Sequence, residues 1–444
     1  MRDPQGRLHF DGDRAVRQLA APHETPAFLA HPASRRLVES GALVPFSVST
    51  TRPGRIESPR YDFISLPTEW TDAQLRTAAD LTLDVAEAAL ASGFELKDAS
   101  AWNVIFDGTV PRFCDHLSFE LVRSREWWAF GQFCRHFTFP LACARWRGLP
   151  SRDAFQLRRD GLDADQARAL LGLRGRFSRL FPLLLRRTSS TQPTADEAVP
   201  VVQGVAPGEA TLHRSLIDYA RRSLVGRRHA ANAGESAWSG YVGERQHYSP
   251  QAVLAKVDQV QQWLHAIEPR TVLDLGCNTG EFSRLALKFA QRVIAVDADH
   301  DCVQRLFLEA RGDTRIHPLV ADLGDLRGGR GWGAAEFGGL LERLANQADT
   351  TLMLALVHHL HVSEGIPLDE IARLAARLTG RHLIVELLDS DDPMVKRLAT
   401  QRRRDIGAFT IQGQLDAFDA HFDLVARVRL DDTRRELALM RRRA

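Results

Sequence analysis

The stretch from Thr271 to Asp297, TVLDLGCNTGEFSRLALKFAQRVIAVD, constrains the fold of this chain more than any other. A short apolar strand, Thr271-Val272-Leu273, ends on Asp274, and a turn containing Gly276, Asn278 and Gly280 follows. The pattern then predicts a helix over roughly 281–290 and a second strand, 292–296, ending on Asp297. This is a βαβ unit with its glycines where a strand hands over to a helix. Glycine admits positive φ and close approach to the main chain, and asparagine is the next best residue for a left-handed position.

Asp297 ends its strand at the crevice, where a carboxylate can accept both hydroxyls of a ribose. The Gly-x-x-x-Gly spacing differs from the Gly-x-Gly-x-x-Gly of dinucleotide binders. Asp274, two residues before the first glycine, would repel a pyrophosphate and suit a ligand carrying an amino group and a sulfonium charge. Asp274-Leu275-Gly276-Cys277-Asn278-Thr279-Gly280, followed by Asp297, resembles motifs I and II of the class I methyltransferases. The resemblance implies S-adenosylmethionine as cofactor. Asp274 and the turn Gly276, Cys277, Asn278 and Gly280 would hold its methionine end and Asp297 its ribose, with Ala298 also in the cofactor-binding set. The family usually has glycine where this chain has Asn278, a departure that a left-handed asparagine accommodates. A βαβ turn of another α/β protein and an NAD(P) site are the competing readings.

Downstream, a helix is expected over 301–311 and a third strand over Ile316 to Val320, leading into Asp322 and Leu323. By the same resemblance Asp322 accepts the adenine amino group, the next backbone N–H meets the ring, and Leu356 completes the cofactor set. A fourth strand, Thr351 to Val357, is almost purely apolar, as a strand buried on both faces should be. It runs into His358-His359-Leu360-His361, where the family places groups that meet the acceptor. A histidine there has a pKa suited to taking a proton during attack. His358 and His359 are therefore catalytic candidates, with a structural role and a weak metal site as the alternatives; no metal is assigned. Glu386, near the end of a fifth strand over 382–388, is the third catalytic candidate, and Asp389, Asp391 and Asp392 make the next loop acidic. Strands over 422–430 and 436–440 complete the sheet as a terminal hairpin.

Elsewhere the sequence is plainer. A chain of 444 residues has room for two or three domains. A net charge of +2 predicts no strong nucleic-acid or membrane attraction. Five cysteines without Cys-x-x-Cys spacing fit neither a disulfide framework nor zinc. The charged N-terminus lacks a signal-peptide core, and no apolar run approaches a membrane span, so a cytoplasmic protein is expected.

Residues 1–75 read as short strands and turns, with 7–10 entering a hairpin at Asp11-Gly12-Asp13, and a helix over 71–92 follows. Lys97-Asp98, then Asn103 five residues after Asp98, then Asp115 after a second apolar run resemble the catalytic and metal-binding loops of the protein-kinase and aminoglycoside-phosphotransferase superfamily. The glycine-rich loop and the phosphate-binding lysine of that superfamily are not recognisable. The open readings are a kinase-like remnant used for structure or binding, an active phosphotransferase, and a capped turn before a strand. Residues 127–185 read as helices with an aromatic core, 187–210 as a linker, and 212–228 as a basic helix with a solvated face. Ser249-Pro250 starts a helix ahead of the first strand; Tyr241, Tyr248 and Lys256 are candidate lid or acceptor residues.

The expected fold is therefore α/β: a C-terminal Rossmann-like seven-stranded methyltransferase sheet (236–444), a linker with the basic helix (187–235), and a separate α+β, kinase-like N-terminal domain (1–186). The combination of Lys97-Asp98 and Asn103 with Ala355-Leu356-Val357-His358-His359-Leu360 resembles, over most of the chain, bacterial methyltransferases related to a host-specificity nodulation protein. The resemblance implies methyl transfer to an O, N or C nucleophile and leaves the acceptor unidentified; a small molecule, carbohydrate or carrier-bound intermediate is favoured, and the charge and hydropathy give no strong nucleic-acid signal and no membrane partner. A non-catalytic adenosyl-ligand-binding protein and a phosphotransferase are the alternatives.

Overall fold

The chain divides into Met1–Ala230 and Ala231–Ala444. The computed structural model describes residues 5–22, 26–122, 126–180, 182–183, 211–224, 249–345, 347–407 and 409–443. The linker 187–210 and the candidate lid residues Tyr241 and Tyr248 lie outside them.

In the first unit, Gly6–Asp11 and Arg14–Leu19 form the expected hairpin, with Asp11 opposite Arg14 and Gly12 at φ +58°. Arg55–Pro59 and Ser47–Val48 extend it to a four-stranded antiparallel sheet. The helix Asp72–Leu90 starts on a reciprocal cap, in which the Thr71 hydroxyl accepts from the Gln74 N–H and the Gln74 side chain accepts from the Thr71 N–H. Its apolar positions, including Leu75, Ala79, Leu83 and Ala86, are buried. Phe130, Phe133 and Phe137 are buried as a core segment should be, whereas Trp128 is 60% exposed. The basic helix, Thr211–Ser223 in its described part, is not simply solvated: Ile217 and Ala220 are buried, and Arg221 pairs with Asp84 and Glu87 of the long helix.

The second unit is built on strands β1 (Thr271–Leu275), β2 (Arg292–Asp297), β3 (Ile316–Val320), β4 (Ala348–Met353), β5 (Thr379–Leu388), β6 (Phe422–Leu430) and β7 (Arg435–Arg442). The sheet order is β3-β2-β1-β4-β5-β7-β6. The first five strands run parallel, and β7 enters antiparallel between β5 and β6. Every residue of β1 and β3 is buried, including the polar side chains of Thr271, Asp274 and His317, as strands covered on both faces require.

Helix α1 (Pro250–Ile267) is capped by Ser249, whose side chain accepts from the Ala252 N–H. It docks through Val260, Trp263 and Leu264 onto a core shared with Val272, Leu285, Leu352 and Leu437. Each fully buried side chain of this kind contributes about 1.5–3 kcal/mol, so the stripe outweighs the helix's intrinsic propensity. Helix α2 (Glu281–Ala286) is shorter than expected, and α3 (His300–Glu309), α4 (Leu368–Leu378), α5 (Pro393–Arg402) and α6 (Ile411–Asp419) follow.

Strand β4 ends sooner than its apolar run suggests. Ala355 adopts φ +55°, a left-handed conformation that takes the chain out of the sheet, and His359–Ser363 then form a π-helical turn. Hydrophobicity continued past the strand because Val357, Leu360 and Val362 are buried in the turn itself.

Candidate cofactor and acceptor site

Strand order reverses between β1 and β4, since the chain steps from β1 to β2 and β3 on one side and to β4 and β5 on the other. Open α/β sheets leave a crevice outside the carboxyl ends of their strands at such a point. A cavity of about 640 Å³ lies there, lined by the segments that follow all four strands: Gly276 to Thr279, Asp297 to Asp299, Ala321 to Leu323 and Leu354 to Leu356. The parallel order closed by a reversed β7 is the arrangement the resemblance led us to expect. This unit has the class I methyltransferase fold.

The glycine turn of the methyltransferase fold spends its own donors. The Gly276 and Cys277 N–H groups donate to the Val296 carbonyl, at 2.8 and 3.1 Å, and the Gly280 N–H donates to the Cys277 carbonyl at 2.8 Å. The Asn278 N–H donates to Asp297 Oδ2 at 2.7 Å, and the Thr279 N–H to Asn278 Oδ1 at 2.7 Å. A phosphate-binding turn needs such N–H groups aimed at the ligand; here five successive ones are satisfied within the protein. Asn278 sits at φ +48° and Gly276 at φ +77°, so the asparagine fills a left-handed position as its residue type allows.

Asp274 is buried and accepts a hydrogen bond of 2.5 Å from the Ser283 hydroxyl. Burial pushes its carboxyl up to about 6, with Asp297 adding to the rise and Ser283 opposing it. Burial likewise raises Asp297, against the Asp299 and Asn278 N–H groups that donate to it. Asp299 caps α3 by accepting from the Asp301 and Cys302 N–H groups, both at 2.9 Å. Cys277 lines the cavity as a protonated thiol, held well above its ordinary pKa by burial and by the Asp297 and Asp274 carboxylates.

Asp274, Gly276, Cys277, Asn278, Asp297, Ala298, Asp322, Leu323 and Leu356 all line this one cavity. Gly280 does not. At φ +82° a Cβ there would stand 2.3 Å from Leu306 Cδ1, so this glycine admits close packing of α3.

The three catalytic candidates separate. His359 lines the cavity and is held neutral by burial and by Arg435, with its pKa lowered to about 4. His358 is fully buried off the cavity, and neither of its ring nitrogens has a hydrogen-bond partner. Its pKa is held well below the ordinary value by burial, so it neither reaches an acceptor nor protonates there. Glu386 is also fully buried and off the cavity. It lies within β5 and pairs with Lys256 Nζ at 2.6 Å and Arg435 Nη1 at 3.6 Å. Asp392 is not part of a merely soluble acidic loop: it caps α5 through the Met394 N–H and takes Arg435 Nε at 2.7 Å.

Sequence reasoning missed the helix α5, whose Leu398, Gln401 and Arg402 line the cavity. Asp392-Pro393, a capping residue followed by proline at the first helical position, was the available signal. Lys256, a candidate for lid or acceptor, does line the cavity.

In the first unit the fold gathers Asp98, Asn103 and Asp115. The Asn103 amide donates to the Asp98 carbonyl and to the Ser118 hydroxyl, both at 3.3 Å, and Ser118 donates to Asp115 Oδ2 at 2.5 Å. Arg17 pairs with Asp115 Oδ1 at 3.3 Å. Burial and the neighbouring Asp115 raise Asp98. No group of three or more metal-ligating side chains is assembled among the described residues.

No protein-family model matches the chain. The nodulation protein NoeA of Rhizobium meliloti (strain 1021) is 28% identical over 426 residues, which cover 90% of this chain and 86% of that protein. Among solved structures, the N-methyltransferase NodS of Bradyrhizobium japonicum WM9 bound to S-adenosyl-L-homocysteine covers 47% of this chain and 100% of its own, at 12% identity and TM-score 0.33. The magnesium protoporphyrin IX methyltransferase ChlM of Synechocystis PCC 6803 with bound SAH covers 46% and 95%, at 18% identity and TM-score 0.32. No helix among the described residues is long and apolar enough to cross a membrane.

Proposed function

We propose that the chain is an S-adenosylmethionine-dependent methyltransferase acting on an oxygen, nitrogen or carbon nucleophile. The 236–444 segment would be the catalytic domain, preceded by the 187–235 linker and the 1–186 N-terminal module. The observation that carries the reading is the combination of a donor-exhausted glycine turn with two carboxylates, Asp274 and Asp297, on the cavity wall. Such a wall repels a pyrophosphate and accepts from an ammonium group and ribose hydroxyls. A cavity of about 640 Å³ suits a nucleoside with an amino-acid tail.

When bound, the cofactor supplies an electrophilic methyl group on a sulfonium centre. Asp274 would take the ammonium group, Asp297 the ribose hydroxyls, and Asp322 the adenine amino group with the Leu323 N–H against the ring. His359, neutral above about pH 4, would accept the N–H or O–H of the acceptor and orient its lone pair. Cavity walls that hold both reactants in line supply most of the acceleration, and orientation of this kind is worth about 7–11 kcal/mol. A small molecule, carbohydrate or carrier-bound intermediate is the favoured acceptor.

Calorimetric titration of S-adenosylmethionine, S-adenosylhomocysteine and NAD into the wild type and Asp297→Asn tests this reading. Micromolar binding of the adenosyl ligands, weakened roughly 10²-fold in the variant, is expected, because a lost hydrogen bond to a charged group costs about 1.5–3 kcal/mol. Binding of NAD with no adenosyl ligand bound would sink it.

A further inference from the structure

We propose that Lys256 binds the carboxylate of the ligand's amino-acid end, and that Glu386 is a positioning residue that holds Lys256 for this task. The proposal rests on the methyltransferase reading and goes beyond it by assigning the anionic half of a zwitterion.

Six carboxylates line the cavity: Asp274, Glu281, Asp297, Asp299, Asp322 and Glu364. An incoming carboxylate is repelled along most of such a wall. Among the described lining residues the cations are Lys256 and Arg402, and Arg402 is exposed at the end of α5. Lys256 is 8% exposed, and its ammonium group stands 5.1 Å above the Phe282 ring, on the same cavity wall. It is close enough to Asp274 to pull that carboxyl's pKa down. An anion and a cation therefore flank one end of the cavity, as the ammonium and carboxylate of an α-amino acid require.

The rest of the arrangement supplies the buried lysine with counter-charge. Its Nζ donates to Glu386 Oε2 at 2.6 Å. In the β5–β7 register Glu386 faces Leu437 and Leu388 faces Arg435, so Glu386 and Arg435 are diagonal neighbours on one face of the sheet. Arg435 reaches Glu386 at 3.6 Å and grips Asp392 through Nε at 2.7 Å and Nη2 at 3.2 Å. Two cations and two anions thus form a neutral buried chain that begins at the cavity and ends on the cap of α5. The Glu386 bond fixes where the ammonium group stands on the cavity wall.

The test measures the affinity of three probes: S-adenosylhomocysteine, which carries ammonium and carboxylate; decarboxylated S-adenosylmethionine, which keeps the ammonium alone; and 5′-methylthioadenosine, which carries neither. Lys256→Met is expected to weaken S-adenosylhomocysteine about tenfold or more and to change the other two less than about twofold. Lys256→Arg should restore most of the loss. Glu386→Gln should weaken the same probe alone and add little on top of Lys256→Met. The double variant also removes both buried partners together, which keeps the test valid if a lone Glu386 destabilises the fold. Equal losses for all three probes, or none for S-adenosylhomocysteine, would overturn the proposal while leaving the methyltransferase reading standing. A wild type that binds none of the three would end both.

Discussion

Two acidic clusters in this chain are built alike and end differently. At the carboxyl ends of β1 and β2, Asp274 and Asp297 flank a turn; in the first unit, Asp98 and Asp115 flank the hairpin Val104–Asp107 and Val110–Phe113. In both, burial raises a carboxyl and a serine hydroxyl donates to a carboxylate at 2.5 Å. The difference lies in what faces them. Asp274 and Asp297 look onto a cavity, whereas Asp115 is engaged by Arg17, Ser118 and the Leu117 N–H. One fold leaves its acidic acceptors facing open volume, and the other supplies a cation to them from the same unit.

The largest expected effect breaks the pair apart. Asp274→Asn should weaken S-adenosylhomocysteine by roughly 10–10²-fold, because the ammonium loses its counter-charge, while Asp98→Asn should leave that affinity within about twofold. Calorimetry on both variants checks this, and similar losses would mean that the clusters are not distinct in kind. Next, Arg17→Met should destabilise the first unit by about 1–3 kcal/mol, since a largely buried carboxylate loses its cation. Denaturant unfolding reads that loss, and adenosyl binding should not follow it.

A third prediction concerns pH. Asp274 titrates near 6 in the fold, above the ordinary carboxylate value of 3.8, so the native state holds its proton longer than the unfolded chain. This group's contribution to stability therefore falls as pH rises from about 4 to about 6 and is level above that. Ligand affinity should move the opposite way, because the ammonium binds the ionised form. It should climb through about pH 6 to a plateau, and Asp274→Asn should abolish the slope. Binding that weakens as pH rises would refute the assigned role. The smallest effect is expected for Asn278→Gly, which relieves left-handed strain but removes the acceptor of the Thr279 N–H. These terms nearly offset, so thermal unfolding should report a change below about 1 kcal/mol.

The contrast between the clusters also shows where sequence reasoning stopped. Asp274, Gly276, Asn278, Asp297 and Asp322 were readable because strand ends and a left-handed turn leave local signatures: an apolar run, a glycine, an acid at a fixed offset. Gly280 was readable as a glycine, but its reason, the Leu306 methyl at 2.3 Å from a notional Cβ, comes from α3. His358 and His359 are adjacent in sequence and alike in composition. Only the left-handed Ala355 and the turn after it put one ring on the cavity wall and the other in the core. The acid at 386 looked like a loop-facing catalyst because the end of β5 was legible while its antiparallel partner's register was not.

By itself the sequence determined the βαβ unit, its glycine turn and the acids that close its strands, because those depend on backbone conformation and on residues a few positions apart. Tertiary structure decided which polar groups face the cavity and which are consumed inside the protein. Arg435 meets Asp392 across 43 positions and Lys256 meets Glu386 across 130. The cost of leaving a buried charge unpaired forces such pairings, but their partners are set by strand register and helix docking, which no local pattern in the chain encodes.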